Sequence, residues 1–321
     1  MRRFRSRLFD RKLNSPSSVE NLALVLFKKE IEALNGVNAP ASAHTVWQEF
    51  LSEIRSQFAN NDPRSFLRWK IIRRAMCAEF QDFVTSEFNT LKCDPNWNTV
   101  WEPALQEVSI GHPRPWPYYR GRGGGFTSGN AIHHCFHLQQ FEHLTRWKVS
   151  DFDSIFEFGA GYGSLCRIAH VLGFSGSYLI YDFPEFLALQ RYYLRATGVL
   201  PNDSRDGSCR IKGFSEIDPA IREIVTSNGR NSLFIGLWSI SEAGPGYIEH
   251  FFEALPKFDA YLIAFRRDFS GINNQVFFNA WRSALSSTHN CIETPAAGSN
   301  YDHYLFISPK DLGKTGTAIA N

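Results

Sequence analysis

The sequence carries almost no net charge. Lys and Arg total 34 against 32 Asp and Glu, a formal +2, so the balance offers no argument for a nucleic-acid or membrane-surface partner. No run of 18 apolar residues occurs, so no transmembrane helix and no membrane insertion are expected. The six cysteines are scattered. The nearest two, Cys77 and Cys93, lie 16 residues apart, which excludes a CxxC metal or redox spacing. Single thiols of this kind read as small buried hydrophobes in a reducing compartment, and a cytoplasmic location is the expectation. The basic start, Arg2 to Lys12, meets the polar run Asn14-Ser15-Pro16-Ser17-Ser18 instead of an apolar core. It reads as a solvated tail rather than a secretory signal, with contact to an anionic surface as the alternative. No internal repeat is evident. Aromatic residues, by contrast, are abundant: 28 Phe, 11 Tyr and 8 Trp make up 15% of 321 residues. With 43% hydrophobic and 21% charged residues the composition is globular, and the rings either fill a core or line pockets.

Residues 1–125 read as a helical N-terminal region that shapes an acceptor pocket. Ser17 and Glu20 form a capping box, Leu22, Leu26 and Ile31 lie in the stretch that follows, and Gly36 is a candidate stop. Trp47, Leu51, Ile54 and Phe58 recur at helical spacing. Asp62-Pro63 opens a further helical pattern running through Trp69, Ile72, Met76 and Phe80 to Phe88. The segment 111–125 holds three prolines and then four glycines, so it is a loop, either a linker or a lid. Residues 126–310 then alternate short apolar runs with helices. A helix capped by Ser128 runs to about Trp147, and strands are expected at 154–158, 178–181, 210–213, 232–238 and 261–265, each followed by a helical stretch. That rhythm implies a parallel sheet with right-handed crossovers. The strands 291–294 and 304–308 have no helix between them, so the sheet closes with an antiparallel hairpin. Residues 311–321 read as a flexible tail.

The chemistry concentrates where the first strand ends, at Glu157-Phe158-Gly159-Ala160-Gly161-Tyr162-Gly163-Ser164. Glycine there lets the backbone turn sharply and approach a ligand, and the helix that follows presents free N–H groups. The next strand ends in Asp182, a carboxylate suited to both ribose hydroxyls of an adenosine. A dinucleotide site wants G-x-G-x-x-G with the third glycine at 164, whereas this chain has Ser164 there and Gly163 before it.

The pattern E-x-G-x-G-x-G after a strand, the spaced acid and the terminal hairpin resemble class I S-adenosylmethionine-dependent methyltransferases. A narrower resemblance, to the putative sugar O-methyltransferase family, rests on His137-Leu138-x-x-Phe141-Glu142, on Phe156 to Gly163, on Tyr181-Asp182-Phe183-Pro184-Glu185 with Leu189-Gln190-x-Tyr192, and on Ser239-Ile240-Ser241-Glu242. The resemblance implies a Rossmann-like fold, a mostly parallel seven-stranded sheet preceded by helices, with S-adenosyl-L-methionine as cofactor. It implies that Glu157, Gly159, Gly161 and Gly163 face the methionine and ribose, that Asp182 holds the ribose, and that Phe183 stacks near adenine. Gly213, Phe214 and Ser215 should border the adenine, with Trp238 and Ser239 beside the methyl donor. The acceptor it implies is a small molecule, a sugar or glycoside, and not nucleic acid. A homo-oligomer stays open.

A hydroxyl is weakly acidic and gains from a base. His133 and His137 share a helical face before the first strand, and Glu242 follows the fourth. These three are the catalytic candidates, against alternatives as ordinary core or surface groups. His134 lies nearer the apolar face. His133 and His137 lack a third ligand, so no metal is assigned. Arg266 suits an anionic acceptor group, and Tyr118 and Arg120 suit a lid. Three rival readings are a methyltransferase acting on another small molecule at oxygen, nitrogen or carbon, an NAD-dependent oxidoreductase, and a non-catalytic cofactor-binding protein.

Overall fold

A computed structural model describes residues 15–34, 45–78, 81–201, 210–226, 231–243, 245–296 and 302–310. The basic start, Gly36, residues 297–301 of the turn and the 311–321 tail lie outside those residues. Seven strands form one sheet: β1 (Ser154–Phe158), β2 (Ser177–Tyr181), β3 (Ile211–Phe214), β4 (Ser232–Leu237), β5 (Ala260–Arg266), β6 (His289–Pro295) and β7 (Asp302–Pro309). Their spatial order is β3-β2-β1-β4-β5-β7-β6. The first five are parallel, and β7 inserts antiparallel between β5 and β6. The order reverses between β1 and β4, which opens a crevice beyond their carboxyl ends, the usual ligand position in an open α/β sheet.

The central strands bury both faces. Ile155, Tyr178, Ile180, Leu233 and Ile235 join the apolar cluster on one side, and Phe156, Phe158, Leu179, Phe234 and Ile263 join the cluster on the other. Near-continuous hydrophobic strands are what two covered faces require. The alternation of helices and strands supplies that cover through α5 (Gly129–Thr145) before β1 and the connecting helices α6 (Ser164–Val171), α7 (Pro184–Ala196), α8 (Ile217–Thr226), α9 (Pro245–Ala254) and α10 (Asn274–Leu285).

The N-terminal helices differ in detail from the sequence pattern. Helix α1 (Ser18–Ala33) is capped by the Ser17 hydroxyl, which accepts from the Glu20 N–H. Its buried residues are Ala23 and Phe27, while Leu22 is exposed, because Phe27 packs on Tyr192 of α7 and turns the helix by that contact. Helix α2 (Thr45–Asn60) buries Leu51, Ile54 and Phe58 along the expected stripe. The long helical pattern from Asp62 is broken into a 3-10 turn (Pro63–Arg68), α3 (Lys70–Met76) and α4 (Gln81–Lys92). The interruption has a tertiary cause. Asn130 of α5 donates to the Met76 carbonyl at 2.8 Å and accepts from the Ala78 N–H, so backbone groups that would continue a helix are held from outside.

Candidate functional site

At the carboxyl ends of β1, β2 and β4 lies a cavity of about 1440 Å3, walled on the far side by α2, α3, the 76–78 segment and α4. Its floor is the turn after β1. Gly159, Gly161 and Gly163 all have positive φ, at 72°, 58° and 89°. The requirement is sharpest at Gly159, where an added Cβ would sit 2.4 Å from the Ser239 Cβ. Glycine thus lets the ends of β1 and β4 touch, and the Ser239 hydroxyl closes the contact by donating to the Phe158 carbonyl.

Glu157 is buried, and the Tyr178 hydroxyl donates to its Oε2 at 2.7 Å. Burial pushes its carboxyl up to about 8, against the pull of Tyr178. Asp182 is pushed up to about 7, also by burial, while the Phe183 N–H at 2.8 Å and the Gln190 amide at 2.7 Å donate to it. The same Gln190 amide reaches the Gly161 carbonyl at 3.0 Å, tying the glycine turn to the acid after β2. Phe183 lines the cavity and meets Trp47 of α2 at 6.1 Å and Phe186 at 6.2 Å, an aromatic wall beside Asp182.

Beyond β4, Trp238 has φ +60° and ψ −40°, a conformation that side chains seldom adopt and that functional sites often store. Its indole stacks on His133 (5.0 Å, 22°) and meets His137 and Tyr304 edge-on. His133 Nδ1 lies 2.8 and 2.9 Å from the two oxygens of Glu87 on α4. Glu242 lines the cavity, and burial pushes its carboxyl up to about 7 against the opposing influence of Arg266. Arg266 is at the rim, 3.5 Å from Asp302.

The structure therefore gathers Glu157, Gly159, Gly161, Asp182, Phe183, Trp238, Ser239, His133, Glu242 and Arg266 around one cavity. Gly163 stands just behind the turn as the N-cap of α6. Other expected residues lie elsewhere. His137 is fully buried behind the wall, its Nε2 3.2 Å from the Tyr304 hydroxyl, and burial holds its imidazole well below the usual range. That placement does not fit a base touching the acceptor. His134 does line the cavity, and burial pushes it down to about 3. Tyr118 is 57% exposed against Trp116, and the Arg120 guanidinium is spent on the carbonyls of its own loop, so neither reaches the cavity. Arg68 holds the start of the 111–125 loop by donating to the carbonyls of His112 and Pro113, and none of the loop's described residues lines the cavity. Gly213 faces Leu187 of α7, where an added Cβ would sit at 2.7 Å, so its smallness serves packing. Phe214 acts through its carbonyl, which accepts from the Asp182 N–H at 3.0 Å, and it is Ser215 that lines the cavity.

Glu87, Gln190 and Asn130 escaped assignment from sequence. Glu87 had one visible signal, a carboxylate on the face shared by Val84, Phe88 and Leu91, all of which are buried. Among the described residues no group of three His, Cys, Asp or Glu is arranged to hold a metal, and no helix is long and apolar enough to cross a membrane.

The strand order, the reversed terminal hairpin and the glycine turn define a Rossmann-like class I methyltransferase fold. No protein-family model matches the chain, and no curated protein matches it. Among solved structures, an rRNA methylase from Streptococcus thermophilus is 8% identical at a TM-score of 0.38, over 56% of this chain and 95% of its own. TrmK of M. capricolum, solved with S-adenosyl-homocysteine, is 14% identical at 0.36, over 55% and 68%. Magnesium protoporphyrin IX methyltransferase of Synechocystis PCC 6803 is 13% identical at 0.32, over 53% and 82%.

Proposed function

We propose that the chain is an S-adenosyl-L-methionine-dependent methyltransferase that methylates a hydroxyl of a sugar or sugar-like small molecule. The observation that carries the cofactor is the cradle itself: three positive-φ glycines, Glu157 behind them, and Asp182 aimed into the same cavity with its other contacts already met. Bound there, the cofactor supplies a methyl group on a sulfonium, already activated for in-line displacement. Asp182 would accept from the ribose hydroxyls, Phe183 would lie along the adenine, and Glu157 and the turn would receive the methionine end. The protein's part is then mainly alignment of the acceptor oxygen, with a base to take its proton.

Two features favour a small hydroxylated acceptor. A cavity of about 1440 Å3 exceeds the usual few hundred to roughly 1,000 Å3 of a single-ligand site, leaving room beside a cofactor. Its lining carries eight acidic side chains against the guanidinium groups of Arg74 and Arg266. Although burial favours the protonated form of Glu157, Asp182 and Glu242, the other five (Glu49, Glu53, Asp82, Glu87 and Asp302) still outnumber the two cations. An acidic cleft attracts a cationic cofactor and accepts hydrogen bonds from hydroxyls, and it repels a polyanion such as RNA.

Titration calorimetry with S-adenosylmethionine, S-adenosylhomocysteine and NAD tests the cofactor. The first two should bind one to one and NAD should not. Binding of NAD alone would overturn the reading in favour of an oxidoreductase. Formation of S-adenosylhomocysteine against a panel of hexoses, amino sugars, glycosides and an RNA oligonucleotide then tests the acceptor. Turnover with RNA alone would refute the small-molecule assignment.

A further inference from the structure

His133 is held on four sides. Trp238 stacks on its ring, Phe83 meets it edge-on at 5.3 Å, His137 meets it edge-on at 4.2 Å, and Glu87 grips Nδ1 with both oxygens. Glu87 is 3% exposed, and a carboxylate buried to that degree is costly unless it is paired. With Nδ1 facing a carboxylate, the neutral ring keeps its proton on Nδ1, and the lone pair falls on Nε2. The hydrogen bonds of the ring to described residues are those of Nδ1 to Glu87, and the ring borders the cavity. The other two sequence-derived candidates do not offer this arrangement. His137 is walled off behind Tyr304, and Glu242 approaches from the β4 side with no hydrogen-bond donor from the described residues to orient it.

We propose that Glu87 and His133 form the proton-accepting pair of the acceptor site, with Glu87 a positioning residue that fixes the Nδ1–H tautomer and His133 Nε2 the group that takes the acceptor's hydroxyl proton. This rests on the methyl-transfer reading above. The hydroxyl oxygen forms the new bond to the methyl carbon as the sulfur–methyl bond breaks with its electron pair on sulfur, and the hydroxyl proton passes to Nε2 and then to water. Charge balances, because the sulfonium charge lost at sulfur leaves as that proton. Trp238 gives the pair its place. The same indole that stacks on His133 sits where β4 ends at the cofactor cradle, next to Ser239, which touches Gly159. The base is thereby fixed relative to the turn that would hold the donor.

Two acceptor-free measurements on the full chain decide the point. Nitrogen-15 correlation spectra at alkaline pH, with the His133 signal identified from His133→Gln, should show Nδ1–H and a bare Nε2 in the native protein. Carbethoxylation at alkaline pH, where the ring is neutral in both proteins, followed by mass spectrometry should modify His133 in the native protein. Glu87→Gln should slow that modification about tenfold, the low end of what losing a carboxylate behind a metal-bound imidazole costs in affinity or activity. An Nε2–H tautomer in the native protein overturns the proposal, as does a modification rate unaltered in folded Glu87→Gln. Should Glu87→Gln fail to fold, the native tautomer decides alone. Cofactor calorimetry on the same samples separates the outcomes, since loss of cofactor binding by the native protein would refute the methyl-transfer reading while leaving the tautomer legible.

Discussion

Asp182 and Glu157 stand at the buried end of the sheet with their carboxyls pushed up to about 7 and about 8, and Glu242 across the cavity is pushed up to about 7. Burial is the largest cause in each, and it favours the protonated form. The sign for stability follows from the raised values. The folded state binds these protons more tightly than the unfolded chain, whose carboxyls titrate near pH 4, so the benefit is complete below about pH 4 and is lost as pH rises through 7 to 8. The melting temperature of the cofactor-free protein should therefore fall between pH 6 and 8.5, and S-adenosylmethionine should recover part of the loss. The sign for binding is opposite. Ribose hydroxyls donate to ionised Asp182, so cofactor affinity should rise through pH 7 and proton release should appear in calorimetry with buffers of different ionisation enthalpy. Asp182→Asn keeps the shape and should weaken binding by about tenfold, roughly 1.4 kcal/mol, while flattening that pH dependence. An affinity for Asp182→Asn within about twofold of native would assign the ribose to another group.

At the scale of elements, the α/β half was legible because its signal is local. Apolar runs of four to seven residues bounded by Gly, Asp and Ser mark strands, and all seven strands end within two residues of their expected ends. The glycine turn and Asp182 were legible for the same reason, since backbone conformation and strand ends dictate residue type. The N-terminal half was not, because its breaks come from distant partners. Nothing within Met76-Cys77-Ala78 foretells that Asn130, more than fifty positions on, will hold the segment open. Glu87 was hidden likewise, since its meaning appears only when α4 packs beside α5. Asn130→Ala tests this dependence. It leaves a half-buried carbonyl and N–H without partners, which should cost about 1 kcal/mol in urea unfolding and reduce cofactor affinity, because the freed segment lines the cavity. Unchanged unfolding would mean that the break between α3 and α4 has another cause.

At the scale of the molecule, the sequence suggests a boundary at 125/126, yet packing runs across it. Phe27 meets Tyr192, and Phe66 meets Tyr162 and Tyr193, so the N-terminal helices and the α/β part share one apolar cluster. Ion pairs repeat the pattern. Glu30 of α1 receives Arg191 at 2.8 Å and Arg195 at 2.9 Å from α7, and Arg55 of α2 pairs with buried Glu185. Most telling is Arg167 of α6, whose guanidinium lies 3.3 Å from Glu107 with both side chains at 5% exposure or less. The Ser128 hydroxyl, the cap of α5, donates to the same carboxylate. Removing one member of a buried pair strands the other charge, typically at about 3–5 kcal/mol. Glu107→Ala should thus lower stability by that order, and replacing Arg167 as well, in Glu107→Ala with Arg167→Met, should return part of it. If residues 1–125 and 126–310 fold as one unit, calorimetry of the full chain will give a single transition with equal calorimetric and van't Hoff enthalpies. Glu107→Ala will then move that transition downward as a whole. Two transitions, of which Glu107→Ala shifts only one, would instead assign the 125/126 boundary to two separate folding units.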